Sequence, residues 1–344
     1  MDQAVSSGRA ASNSATQLTD HYGRDISYLR VSVTDRCNLR CLYCMREDVM
    51  FLPKAQVLSL EEMERLCRVF IRLGVKKLRL TGGEPLARPG VMRLVARLGE
   101  ALDDGGLDEL TLTTNGMLLG RHAVALAAAG VRRVNVSRDT RNEATFKHIT
   151  RHPGLNQVLE GIAAARAAGL AVRINTVALA GINDTEYDAM LEWCGKYGCD
   201  MAMIEVMPMG ASGSMGGEHY LSLDRVRARL EERWTLLPSV QRTAGPSRYL
   251  TVAETGRRLG LIMPMSHSFC ASCNRVRLTC TGSLVLCLAR EQGVDLRCVL
   301  RASDDDAHLE AAIVAAIADK PAAHSFGDMA TSRSRSQPMW QLGG

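Results

Sequence analysis

An α/β fold built on a parallel sheet is what this 344-residue chain predicts, and three observations predict it. Short apolar runs alternate with amphipathic helical runs from about residue 27 to residue 207. The helical runs carry start and stop signals at their ends. The polar or unusual segments all follow directly on the apolar runs, which would gather them on one rim of a parallel sheet.

The strands are expected at Tyr28–Val33, Lys77–Leu80, Glu109–Thr113, Arg133–Ser137, Ala171–Val177 and Met201–Met207. The helix beginning at Ser59 has a capping box with Glu62, then Leu60, Met63, Leu66, Phe70 and Leu73 at helical spacing. Another helix runs from Leu155 to Ala168, where Gly169 stops it. Six such βα units make either an open doubly wound sheet or a partial barrel. In both, the loops after the strands form the active site. The segment 209–218 reads as a flexible Gly/Ser connector. Beyond it come a helix near Leu223–Trp234, strands near Tyr249–Val252 and Leu259–Met263, and a helix over Asp305–Ala318.

Composition sets the bounds. An apolar content of 46% with 23% charged residues is that of a globular protein. No apolar stretch approaches the roughly 18 residues of a membrane span. A net charge of +5 and 4% aromatics fit a small anionic substrate better than nucleic acid. Residues 1–23 read as a disordered leader without a secretory core. Eleven cysteines without a secretion signal point to a reducing compartment, the cytoplasm, where thiols serve metals or chemistry.

Cys37, Cys41 and Cys44 lie in the loop after the first strand as C-x3-C-x2-C. Three thiolates hold three corners of a [4Fe–4S] cube and leave one iron open to a non-protein ligand. Zinc is the alternative, but no histidine lies in this loop. Cys270 and Cys273, followed by Cys287, form a second group with Cys280 between them. Three of these could hold another open cluster, whereas all four could close a zinc site, and spacing does not choose. Arg275 and Arg277 would point the same way from an extended segment, which suits an anion between them. Neither a P-loop nor G-x-G-x-x-G is present, so phosphate would be bound by side chains. Gly82-Gly83 after the second strand would let backbone approach a ligand closely. Cys67, Cys194, Cys199 and Cys298 read as structural.

The cysteine loop with Tyr43, the Gly82-Gly83-Glu84-Pro85 turn and the six βα units resemble the radical S-adenosylmethionine superfamily. Arg30 to Cys37, Lys77 to Pro85, Thr113 to Gly116, Phe269 to Arg277 and the terminal Gly343-Gly344 resemble, more closely, the GTP 3′,8-cyclase family of molybdenum-cofactor biosynthesis. The resemblance spans about residues 24 to 344 and implies a partial (β/α)6 TIM-like barrel over 24–208. A smaller C-terminal α+β region over 209–320 would follow, then a flexible tail over 321–344.

It also implies chemistry. Cys37, Cys41 and Cys44 would hold a [4Fe–4S] cluster that binds S-adenosylmethionine, with Tyr43, Gly83, Ser137 and Met207 around that cofactor. Cys270, Cys273 and Cys287 would hold a second [4Fe–4S] cluster facing the guanine, Cys280 being no family ligand. Arg30, Arg79, Thr113, Arg173, Arg275, Val276 and Arg277 would contact GTP, and Gly343 and Gly344 would reach into the cavity. A 5′-deoxyadenosyl radical would take hydrogen from C3′ of GTP, and C3′ would bond to C8. The implied partners are an electron donor of flavodoxin or ferredoxin type and the downstream cyclic pyranopterin monophosphate synthase. A homodimer is compatible with the resemblance.

Three positions depart from the family pattern. Arg138 stands where Leu is usual and would either disturb the cofactor rim or snorkel outward. Ala202 stands where Arg is usual, and Arg173 where Lys is usual. These departures would suit a non-catalytic iron–sulfur or nucleotide-binding paralogue. A peptide-modifying radical enzyme with an auxiliary cluster is the other alternative.

Overall fold

Six strands lie side by side in parallel and in chain order: β1 (Tyr28–Ser32), β2 (Lys77–Thr81), β3 (Glu109–Thr114), β4 (Arg133–Ser137), β5 (Ala171–Ala178) and β6 (Asp200–Glu205). This computed structural model describes residues 17–209, 218–240, 245–289, 293–324 and 339–343. Strand order without reversal is that of a partial barrel, not of a doubly wound sheet. Its strands are almost wholly buried, as parallel strands covered by helices on one side and filled on the other must be.

The helices α1 (Leu60–Arg72), α2 (Val91–Asp103), α3 (Leu119–Ala128), α4 (Glu143–Thr150), α5 (Leu155–Ala167) and α6 (Tyr187–Lys196) cover the outside. The capping box of α1 is present in both directions, Ser59 Oγ accepting from the Glu62 amide at 3.0 Å and Glu62 accepting from the Ser59 amide at 2.7 Å. Met63, Leu66, Cys67 and Phe70 of α1 are buried in one continuous apolar core between helices and sheet. The expected strand and helix ends hold to within one or two residues, except that the helix expected to reach Trp234 is shorter. That helix is α7 (Leu223–Glu231), and Trp234 beyond it donates its indole N–H to Asp188 at 2.9 Å.

The C-terminal part is not a separate layer. β9 (Arg257–Ile262) adds in parallel to β6, and β10 (Arg275–Leu278) adds in parallel to β1. Antiparallel partners β8 (Arg248–Val252) and β7 (Leu236–Pro238) extend one edge, and β11 (Ser283–Val285) and β12 (Gly293–Asp295) extend the other. The result is one twelve-stranded sheet with both open edges of the barrel covered by C-terminal strands. Helices α8 (Leu296–Ala302) and α9 (Asp306–Ala318) follow β12, and Asp306 pairs with Arg65 and Arg72 of α1.

Residues 17–23, expected within the leader, are folded onto the domain. Leu18 is buried, its carbonyl accepts from the Ile26 amide at 2.7 Å, and Asp20 pairs with Arg24 at 2.6 Å. Residues 1–16 and most of the expected connector lie outside the described residues. Cys298 is exposed, contrary to expectation, because it sits in the first turn of α8 beside its N-cap Asp295. Among the described residues no helix is long and apolar enough to cross a membrane.

Candidate active site

All six strand ends open onto one cavity of about 240 Å³. Its rim is made by the loops after β1, β2, β3 and β4, as a barrel requires. The first loop carries Cys37, Cys41 and Cys44, and all three thiols line the cavity. It is held from outside by the Arg40 amide on Thr150 O at 3.0 Å and the Leu42 amide on Ile149 O at 2.9 Å. Burial raises the Cys37 thiol to about 11 and the Cys44 thiol to about 12, so the metal-free thiols are protonated at neutral pH. Metal binding would therefore release protons. Among the described residues no three His, Cys, Asp or Glu converge closely enough for a single metal ion. Three thiolates from one loop on one cavity suit three corners of a [4Fe–4S] cube and would leave the fourth iron open.

Gly82 and Gly83 let the cysteine loop approach closely. A Cβ on Gly83 would lie 2.5 Å from Arg36 C and 2.9 Å from Cys37 N. Their backbone packs flat on the cysteine loop, with the Gly83 amide on Thr34 O and the Glu84 amide on Arg36 O, both at 2.8 Å. The Gly83 N–H is thus occupied, although Gly83 still lines the cavity. Glu84 is fully buried and joins two rim loops by accepting from Thr114 Oγ1 and the Asn115 amide, each at 2.7 Å. Tyr43 donates its hydroxyl to Asp139 at 2.7 Å, and Asp139 also accepts from the Val177 amide. Burial pushes the Asp139 carboxyl up to about 6. Ser137 and Met207 both line the cavity.

Arg138 does not snorkel. It is 1% exposed, with its guanidinium 3.9 Å from the Trp193 ring centroid of α6 and Nη2 3.2 Å from Met190 Sδ. The strand alternation that turns Ser137 toward the cavity turns Arg138 into the layer beneath α6, away from the rim. Ala202 is fully buried in β6, paired in register with Asn175 and Gly260.

Strand register assembles the floor. Arg277, Arg30 and Arg79 are direct neighbours across β10, β1 and β2. Thr113 and Arg173 flank Asn135 in register across β3, β4 and β5. With Arg275, these residues other than Asn135 line the cavity. Burial, helped by neighbouring arginines, lowers Arg30 to about 9 and Arg79 to about 10. Such crowding of buried cations is unfavourable until an anion enters. Arg79 Nε, Arg173 Nε, Thr113 Oγ1 and Asn175 Oδ1 are buried without a hydrogen-bond partner among the described residues. Val276 is turned the other way and packs in the apolar core, so its side chain does not reach the cavity.

Sequence reasoning missed two residues here. Tyr28 is fully buried beneath the arginines, its ring about 5 Å from Lys77 and Arg79. Although burial pushes its hydroxyl up, Arg79, Arg30, Lys77 and Arg275 bring it down to about 8. Tyr249 accepts from Arg173 Nη1 at 2.8 Å. Nothing short of the fold brings either residue to the site.

In the second cysteine group, Cys280 stands apart from the other three. Cys270, Cys273 and Cys287 lie near enough for the charge of each of the first two to raise the third. Cys280 is buried elsewhere, against Asp35 and Arg88. The cavity reaches Phe269 and Leu288, the neighbours of Cys270 and Cys287. Gly343 has entered the site, its carbonyl accepting from Arg30 Nη2 at 2.9 Å and Arg277 Nη1 at 2.6 Å. Gly344 and much of the expected tail lie outside the described residues.

Comparisons agree with this geometry. A Radical SAM superfamily model matches residues 31–194, and a Molybdenum Cofactor Synthesis C model matches residues 199–326. A GTP 3′,8-cyclase of Bradyrhizobium diazoefficiens is 56% identical over 326 residues, covering 95% of this chain and 94% of that protein. One from Rhizobium meliloti is 53% identical, covering 92% and 91%. In fold, the chain is similar to Streptococcus suis SuiB bound to S-adenosylmethionine, with a TM-score of 0.60 at 16% identity over 84% of this chain and 68% of that one. The chain belongs to the GTP 3′,8-cyclase family of the radical S-adenosylmethionine superfamily.

Proposed function

We propose that this chain is an enzyme that cyclises GTP to 3′,8-cyclo-7,8-dihydro-GTP. The observation that carries the reading is the row Arg277–Arg30–Arg79 on the floor of a cavity whose rim holds three cysteines. Those buried cations and the unpartnered groups of Arg79, Arg173 and Thr113 suit a triphosphate and ribose. When bound, a [4Fe–4S] cluster with S-adenosylmethionine supplies a 5′-deoxyadenosyl radical as hydrogen acceptor for C3′ of GTP, ahead of C3′–C8 bond formation.

The protein's own work is placement. Cys37, Cys41 and Cys44 would hold the cluster, and Tyr43, Gly83, Ser137 and Met207 would surround the cofactor. Arg30, Arg79, Thr113, Arg173, Arg275 and Arg277 would grip GTP far from the reacting carbon, so that remote binding energy fixes C3′. Any Val276 contribution would come from its backbone. Burial under the C-terminal strands and Gly343 would exclude water and competing hydrogen donors. Cys270, Cys273 and Cys287 would hold a second [4Fe–4S] cluster at the guanine end.

This reading brings partners with it: an electron donor of flavodoxin or ferredoxin type and a cyclic pyranopterin monophosphate synthase downstream. It places the enzyme in the cytoplasm, as a monomer or a homodimer. Anaerobic turnover of reconstituted protein with S-adenosylmethionine, reductant and GTP tests it. GTP-dependent formation of both 5′-deoxyadenosine and the cyclised nucleotide is expected. Cofactor cleavage without the cyclised nucleotide would move the substrate, and no cleavage from a fully loaded first cluster would favour a non-catalytic paralogue.

A further inference from the structure

Lys320 follows α9, where its amide donates to Ile317 O at 3.0 Å, and its side chain turns inward until the residue is only 2% exposed. Its ammonium donates to Arg275 O at 3.1 Å and to Leu286 O at 2.6 Å. Arg275 lies two residues after Cys273, and Leu286 directly precedes Cys287. One buried cation therefore ties together the two chain segments that carry these cysteines.

The third cysteine is held by the same stretch of chain. Arg24 donates through Nη1 to Cys270 O at 2.8 Å and to Ala322 O at 2.9 Å, and through Nη2 to Pro321 O at 2.7 Å. The His324 amide donates to Cys270 Sγ at 3.4 Å. Arg24 is neutralised by Asp20. For Lys320, the described residues offer carbonyl oxygens and no carboxylate at ion-pair distance. A buried ammonium without a counter-charge is costly, and the cysteine set is the anion that would answer it.

We infer that Lys320 is a positioning and charge-balancing residue for the second cluster, joining the Cys273 and Cys287 segments and offsetting the negative charge of the thiolate-bound iron. The inference rests on the two-cluster reading. Reduction adds negative charge to a cluster, so a nearby buried cation favours the reduced form and raises the potential. The Arg24 and His324 contacts then complete a wrap of residues 320–324 around all three ligands.

The experiment uses the full-length chain with Cys37, Cys41 and Cys44 all replaced by Ala, reconstituted anaerobically so that only the second site can load. A full cube of iron per chain and the spectroscopic signature of a reduced [4Fe–4S] cluster establish the starting point. Absence of iron there overturns the two-cluster reading and this inference with it. In that background Lys320→Gln, which keeps a hydrogen-bond donor without charge, and Lys320→Met, which keeps neither, are compared by redox titration. Retained iron with a midpoint lowered in both supports the inference. The expected size is about tenfold in the reduction equilibrium, about 59 mV for one electron. Loss of iron from both, in chains whose iron-free thermal midpoints match the parent, also supports it. Full iron at an unchanged potential in both overturns it. So does a loss of iron accompanied by unfolding of the iron-free chains, which would make Lys320 a general structural residue.

Discussion

Gly83→Ala tests how the cysteine loop is held. The added methyl would sit 2.5 Å from Arg36 C and 2.9 Å from Cys37 N, where ordinary carbon contacts begin near 3.5 Å. Both obstacles are backbone, so no rotamer change relieves them. Either the loop or the strand end must move, and the Glu84 amide bond to Arg36 O stretches with it. Overpacking of this kind costs about 1–3 kcal/mol, with about 1 kcal/mol more for each hydrogen bond lost. Urea denaturation of the iron-free protein should show that loss. Because the displaced residue is Cys37 itself, first-site iron should fall further than stability alone requires. The assay is iron per chain after reconstitution, in a background lacking Cys270, Cys273 and Cys287. Stability within about 0.5 kcal/mol of the parent together with full iron loading would refute the argument that Gly83 exists for close backbone approach.

Arg79→Ala should move stability and binding in opposite directions. Removing one of several crowded buried cations should leave the fold as stable or more so, while GTP affinity falls at least about tenfold; a parallel fall in both, by denaturation and anaerobic titration, would contradict an anion seat. Arg138→Leu removes Nε and Nη1, which have no partner among the described residues, at the loss of stacking on Trp193. A net gain of about 1 kcal/mol is expected, with binding of S-adenosylmethionine unchanged, and a loss of that size by thermal denaturation would count against it. Asp139 supplies a pH test. Because burial raises its carboxyl from 3.8 to about 6, its contribution is fully present only below pH 3.8 and is lost as pH rises through 6. The iron-free protein should therefore lose up to about 3 kcal/mol over that window relative to Asp139→Asn, and identical pH profiles for the two would reject the assignment.

The barrel is legible in the sequence because β1 to β6 are short apolar runs separated by helices with their own caps. Local pattern sufficed, and the rim residues followed from strand ends. What lies beyond local pattern was not legible. β10 pairs with β1 across roughly 250 residues of chain, so the arginine row, the burial of Tyr28 beneath it and the fusion of the C-terminal strands into the same sheet appear only in the fold. Arg138 was misjudged because alternation was not carried past the end of β4, and it points under α6 where Trp193 receives it. Val276 fell among the GTP contacts through its arginine neighbours, although the same alternation that turns Arg275 and Arg277 inward sends it to the core. For Gly82-Gly83, a sequence cannot show that the nearest backbone belongs to the cysteine loop.

The central claim is that the cavity presents C3′ of GTP to the carbon generated from S-adenosylmethionine. Turnover with GTP carrying deuterium at C3′, followed by mass spectrometry of the 5′-deoxyadenosine, tests this most directly. One deuterium in the 5′-deoxyadenosine and none retained at C3′ of the cyclised product is the predicted result. Unlabelled 5′-deoxyadenosine from labelled GTP would contradict the placement that the arginine floor and cysteine rim are argued to achieve.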